Sequence, residues 1–81
     1  MQGTIDWLKT YFSEQTTVPD NVEGMNYFEA GLIDSFGVVI MIGTIEEHFH
    51  ISFEQSHFTD RRFSTIQGLA EIIEELKQRK P

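Results

Sequence analysis

Ile66, Leu69, Ala70, Ile73 and Leu76 fall on a single stripe when the C-terminal part of the chain is wound as an α-helix. Such a helix is held in water mainly by whatever covers its apolar stripe, so the rest of the chain must supply matching faces. Ser64 and Gln67 match the Ser-x-x-Gln capping box just ahead of the stripe. Lys77, Arg79 and Lys80 suit the negative end of the helix dipole, and Pro81 closes the chain. Ile5, Leu8 and Phe12 recur at near-helical spacing behind Thr4, a candidate N-cap, in a helix that fades at residues 13–15. A further helix opens at Asp34–Ser35, with Asp34 as N-cap, and runs to His48 or Phe49. No segment alternates in polarity. The expectation is an all-α, small four-helix bundle: three longer helices and a short helical turn near residues 56–61. Residues 16–33 form a long loop between the first two helices, and a loop of that length in a small domain needs a reason. Val18, Val22, Met25, Phe28, Leu32 and Ile33 are placed to pin it to the bundle.

The 81 residues make one domain, spanning 1–81. A domain of this size buries only about 60% of the surface of its unfolded chain, so its core is thin and a deep enclosed active site is not expected. Thirteen acidic residues against six basic ones give a net charge of −7. Residues 1–40 hold six acids and Lys9 alone, a balance of −5; residues 41–81 hold seven acids and five bases, a balance of −2. That sign opposes nucleic acid and anionic lipid and favours partners with basic patches. The absence of Cys excludes disulfides, thiolate chemistry and cysteine-ligated metal. No apolar run approaches the roughly 18 residues of a membrane-spanning helix. Met1-Gln2-Gly3-Thr4 lacks the basic start and apolar stretch of a signal peptide. The expected setting is the cytoplasm or an organellar interior, and the expected state a monomer.

The segment Phe28-Glu29-Ala30-Gly31-Leu32-Ile33-Asp34-Ser35-Phe36 resembles the attachment motif of acyl and peptidyl carrier proteins, in which Asp-Ser opens the second helix. The resemblance extends over nearly the whole chain. The long first loop, Glu46-Glu47 followed by Phe49, and Thr65-Ile66 at the start of the last helix all stand where that family has counterparts. It implies an acyl carrier protein whose Ser35, beside Asp34, holds a covalent 4′-phosphopantetheine. A phosphopantetheinyl transferase would install the arm from coenzyme A, and the arm's thiol would carry cargo as a thioester between acyl-loading and acyl-transfer enzymes. The chain would then be a substrate and partner of enzymes, not an enzyme. Physical chemistry agrees with this role for Ser35. A serine in the first helical turn points its hydroxyl out at the rim, where unpaired backbone N–H groups and the dipole favour a phosphodiester. The three histidines lie at 48, 50 and 57, away from Ser35 in sequence, so a nucleophile–base pair is not expected. The alternative is an unmodified, carrier-like interaction module in which Asp34 and Ser35 only cap a helix.

The second helix departs from the fatty-acid-synthesis members of the family, which show acidic residues there. From Ser35 to Ile45 it carries no charge, and its apolar side chains surround the axis. Phe36, Ile40, Gly43 and Glu47 share one stripe, onto which the family's partner-facing positions map. Ile40 stands where those members commonly have an acid. Val39, Ile42, Ile45 and Phe49, with Met41, are the core candidates; a competing reading packs Phe36 and Ile40 under the long loop. The apolar stripe points to a specialised lipid, polyketide or similar pathway more than to housekeeping fatty acid biosynthesis. Gly37 and Gly43 each cost about 1 kcal/mol relative to Ala within a helix. His48 and His50, two residues apart, point in different directions on a helix and so form no metal site. Arg61 and Arg62 read as a solvated pair, the competing reading being contact with the arm's phosphate or a partner, and Trp7, Tyr11 and Phe12 as the aromatic part of the core or a cover over the loop.

Overall fold

A computed structural model describes residues 1–79; Lys80 and Pro81, with the cation and chain stop expected of them, lie outside the described residues. The helices are α1 (Gln2–Gln15), α2 (Ser35–Phe49), α3 (Gln55–Phe58) and α4 (Ile66–Gln78), with 3₁₀ turns at Val22–Gly24 and Arg61–Ser64. Among the described residues there is no strand, only an isolated antiparallel bridge between Asn26 and Thr65. The all-α bundle with a long first loop is therefore what the periodicities specify.

The α4 stripe is the centre of the core. Ile66, Leu69, Ala70, Ile73 and Leu76 are buried, and Ile72 joins them. Ile5, Leu8 and Phe12 of α1 and Met41 and Ile45 of α2 belong to the same cluster. The cap of α4 sits one residue later than the Ser64–Gln67 pattern places it. Thr65 is the N-cap, its hydroxyl accepting the Gly68 N–H at 3.0 Å. Ser64 instead ends the preceding 3₁₀ turn and gives its carbonyl to the Tyr27 N–H at 3.0 Å. Gly68 is needed here: a Cβ would lie 2.2 Å from the Arg62 carbonyl oxygen, so the turn rests directly on the helix backbone.

Thr4 is not a cap either. The first helix starts at Gln2 behind Met1, and Thr4 is buried within it, its hydroxyl donating to the Glu74 carboxylate. The short turn expected near 56–61 resolves into two pieces, α3 and the 3₁₀ turn at Arg61–Ser64. His57, which sequence pattern did not mark, is buried in α3, where its Nδ1 accepts the Glu54 N–H at 2.8 Å and completes a capping box.

The loop is pinned at Val22 and, chiefly, at Tyr27, both fully buried. Phe28, one of the expected pins, is 39% exposed, and its neighbour Tyr27 takes the anchoring place. The Tyr27 ring lies 5.0 Å from that of Phe12, and its hydroxyl donates to the Phe63 carbonyl. Burial raises the Tyr27 pKa far above the ordinary phenol range, so this donor keeps its proton throughout the working pH range. Val18, Leu32 and Ile33 pack against the core as half-buried side chains.

Arg62 is not a solvated cation. It bonds Asp60 at 3.0 Å and Glu75 at 2.6 Å and lies 3.7 Å from Glu71, tying the 3₁₀ turn to α4. Hydrogen bonds from Arg62 hold the Glu75 and Asp60 carboxyls below their ordinary values of 4.5 and 3.8. Carboxyl groups with depressed folded-state pKa add stability above the unfolded value and lose it as pH falls through the folded value. Arg62→Gln should therefore lower the melting temperature at neutral pH by more than it does in acid, where protonation of the two carboxylates progressively removes the charge pairing. Equal losses at neutral and acid pH in thermal unfolding would show that the network contributes nothing through charge.

Candidate functional site

The approach to Ser35 is built by a single helical turn and its cap. Asn26 Oδ1 accepts the N–H groups of Phe28 and Glu29 at 2.9 and 3.0 Å, which starts the turn. The turn closes with the Leu32 N–H on the Tyr27 carbonyl at 3.0 Å and the Gly31 N–H on the Phe28 carbonyl at 3.2 Å. That pair of bonds is a Schellman cap, and its left-handed residue is Gly31, at φ 74°. Glycine is the residue that adopts this conformation without strain, so Gly31 reverses the chain and sends Leu32 and Ile33 toward α2.

Asp34 then caps α2. Its backbone is extended, at φ −111° and ψ −179°, and its Oδ1 accepts the Gly37 N–H at 2.7 Å. Ser35 is the first helical residue and is exposed. The cap satisfies Gly37 and leaves the N–H groups of Ser35 and Phe36 without an acceptor inside the helix. Among the described residues no side chain hydrogen-bonds the Ser35 hydroxyl. The serine is presented, not activated: an exposed hydroxyl at the positive end of a fifteen-residue helix, with anion-binding N–H groups around it.

The outward face of α2 continues from this point. Phe36 is 74% exposed and Ile40 49%, and Gly43 and Glu47 are exposed as well, so the four expected residues do share a free stripe. The reading that packs Phe36 and Ile40 beneath the loop does not hold. Val39, expected in the core, is 65% exposed and widens the stripe into an apolar face with Phe36 and Ile40. Met41 and Ile45 face inward, flanked by half-buried Val38, Ile42 and Phe49. Of the two acids near the end of α2, Glu46 turns inward to accept the Phe53 N–H at 2.9 Å. Glu47 alone of that pair faces outward.

The histidines go separate ways. His48 stacks on Trp7, with ring centroids 4.6 Å apart, while His50 ends α2 in a left-handed conformation. Among the described residues no group of His, Cys, Asp or Glu is arranged to hold a metal ion, and no helix is long and apolar enough to cross a membrane. Trp7 and Tyr11 are half-buried and stack on one another at 5.8 Å, while Phe12 lies in the core.

A family model described as the phosphopantetheine attachment site matches residues 6–73, a span that contains the Gly31–Ser35 segment and all of α2. The full 81 residues are 35% identical to acyl carrier protein 4, chloroplastic, of Arabidopsis thaliana. The match covers all of this chain and 56% of that protein, so the chain spans little more than half the length of the curated relative.

The two α2 glycines differ in their surroundings. A Cβ at Gly43 would meet nothing within 4 Å, whereas one at Gly37 would stand 3.1 Å from both Asp34 Oδ1 and an Ile33 side-chain carbon. Gly43→Ala should stabilise the fold by up to about 1 kcal/mol. Gly37→Ala should gain less or lose, because the cap and Ile33 must yield. Denaturant unfolding of both variants measures the difference; equal gains would mean that the Asp34 cap gives way freely.

Proposed function

Because the chain belongs to the phosphopantetheine-attachment family of carrier proteins, whose cofactor is 4′-phosphopantetheine, we propose that Ser35 is the attachment point and that this acyl carrier protein delivers thioester-bound acyl intermediates to partner enzymes. The observation that carries this reading is the setting of Ser35: an exposed hydroxyl at the first position of α2, behind the Asp34 cap, within the matched span. The residues fit the group. The uncommitted N–H groups of Ser35 and Phe36 and the helix dipole suit a phosphodiester on the serine oxygen. The arm itself supplies a thiol, which the Cys-free polypeptide lacks. The protein's part is to present and release cargo; loading, transfer and attachment of the arm belong to other enzymes, including a phosphopantetheinyl transferase. A monomer in the cytoplasm or an organellar interior accords with this role.

Incubation with coenzyme A and a phosphopantetheinyl transferase should add one phosphopantetheine mass, and Ser35→Ala should abolish the gain. Intact mass spectrometry reads the outcome. A gain that survives the substitution would move the site elsewhere. No gain with several transferases would leave an unmodified interaction module.

The partner surface is the exposed α2 face, with Phe36 and Ile40, widened by Val39 and continued by Gly43 and Glu47. Contiguous exposed apolar residues of this kind mark contact sites. The near absence of charge on this face supports a specialised lipid, polyketide or similar pathway over housekeeping fatty acid biosynthesis. The modifying transferase must approach Ser35 and so serves as a test partner. Its apparent affinity should fall only modestly as salt rises, since screening acts on exposed charges. Phe36→Ala should weaken it by about 1–2 kcal/mol, the loss of an anchor in a desolvated contact. Steep salt dependence, together with no effect of Phe36→Ala or Ile40→Glu in folded variants, would show that charge governs the contact.

A further inference from the structure

Residues 50–54 form the strap between α2 and α3, and two consecutive N–H groups tie it to the two helices. The Phe53 N–H donates to the Glu46 carboxylate of α2 at 2.9 Å, and the Glu54 N–H donates to His57 Nδ1 of α3 at 2.8 Å. The second bond sets a condition on the imidazole. Nδ1 accepts an N–H only while it carries no proton of its own, so the closed cap requires the neutral ring with its proton on Nε2. Nε2 bonds no protein group. Among the described residues no fully buried side-chain nitrogen or oxygen lacks a partner, so Nε2 reaches water through the 6% of His57 that is exposed.

The charged groups around this ring come from every neighbouring element. At the cap stands the Glu54 carboxylate, which accepts the His57 backbone N–H and is paired with Arg79 at 3.3 Å. Asp60, just beyond α3, is held below its ordinary 3.8 first by Arg62 and last by positive charge on His57, which puts its carboxylate within electrostatic reach of the ring. Arg62 is shared with Glu71 and Glu75 of α4. Glu46 of α2 lies one residue off, on the Phe53 N–H. Carboxylates on these sides leave room for an imidazolium. The Glu54 N–H is the group that cannot coexist with a proton on Nδ1.

Histidine is the side chain whose charge ordinarily changes between about pH 5 and 8. We propose that His57 is a proton-operated latch: a proton taken up at Nδ1 breaks the bond to the Glu54 N–H, opens the cap of α3 and loosens the strap that holds α2. The proton comes from solvent, the imidazolium turns to the Glu54 or Asp60 carboxylate, and the freed Glu54 N–H goes to water. α3 has four residues, too few to hold its first turn without this box. The Phe53 ring, with its centroid 6.1 Å from that of His57, moves with the strap. Because Glu46 and the Phe53 N–H hold the last turn of α2, opening reaches the helix that carries Phe36, Val39 and Ile40. One proton is taken up on opening, so the open fraction rises by up to about tenfold per pH unit of acidification. The latch does not depend on whether Ser35 carries an arm.

The experiment compares nitrogen-15-labelled protein at about pH 8 and about pH 5 by nuclear magnetic resonance, bracketing the ordinary range of histidine. At the higher pH a scalar coupling should join the Glu54 nitrogen to His57 Nδ1 across the hydrogen bond, and at the lower it should be gone. Exchange of the Glu54 and Phe53 amides, corrected for the intrinsic rate at each pH, should accelerate about tenfold or more on acidification. His57→Gln supplies an acceptor that does not titrate, at the position where a capping box uses Gln, so its acceleration should stay below about twofold. His48→Gln combined with His50→Gln should respond as the unaltered protein does. A coupling that persists at the lower pH, or an equal acceleration in His57→Gln, would overturn the latch. Should His57→Gln not fold, the coupling in the unaltered protein decides alone. A Phe53 amide that stays protected while that of Glu54 is freed would overturn the transmission to α2.

Discussion

Tyr27 lies between Phe12 of α1 and the backbone of the Arg61–Ser64 turn, with its hydroxyl on the Phe63 carbonyl and its N–H on that of Ser64. A connection of nineteen residues, 16–34, would otherwise carry a large conformational entropy against a fixed position for anything at its end. This single buried side chain joins the loop to the parts of the chain that flank α4, and the Schellman turn that follows begins at its own carbonyl. Gly31, Asp34 and hence Ser35 are placed from there. Removing the hydroxyl would leave the buried Phe63 carbonyl short of its donor, at a cost of about 1–3 kcal/mol. The loss would be felt at Ser35 although the two residues do not touch.

α2 shows how an apolar helix is oriented when hydropathy does not decide. Its residues are apolar on all sides, so burial alone would allow several rotations about its axis. Two polar bonds constrain the helix, and only the second bears on its rotation. The Asp34 carboxylate fixes where the helix begins, and Glu46, reaching the Phe53 N–H, fixes which side of its last turn faces the bundle. With those set, Met41 and Ile45 go inward and Phe36, Val39 and Ile40 are left in solvent. The exposed apolar face thus follows from polar constraints at the two ends of the helix. Its persistence in water is an unfavourable feature of the isolated protein, of the kind that contact with a partner relieves.

Where the sequence was legible, one periodic signal dominated. The α4 and α1 stripes have a single polar side each, and every residue that helical spacing selects on them is buried, with Ile72 and Thr4 buried besides. The Asp34 cap was equally plain, because a short acid before an apolar run has few other uses. Val39 was misjudged for the reason just given: a helix apolar all round carries no phase. Ser64 and Thr65 are consecutive hydroxyl residues, each with a plausible partner three positions on, and only the 3₁₀ turn that consumes Ser64 separates them. Thr4 looked like a cap because Met1, which opens α1, has no capping side chain to announce it. Tyr27 and His57 sit in segments without periodicity. Their burial depends on groups far off in the chain or on a local capping bond, and neither leaves a mark on hydropathy. Their one sequence signal is chemical: a Tyr or His in a loop, amphipathic enough to be buried if a polar partner is at hand.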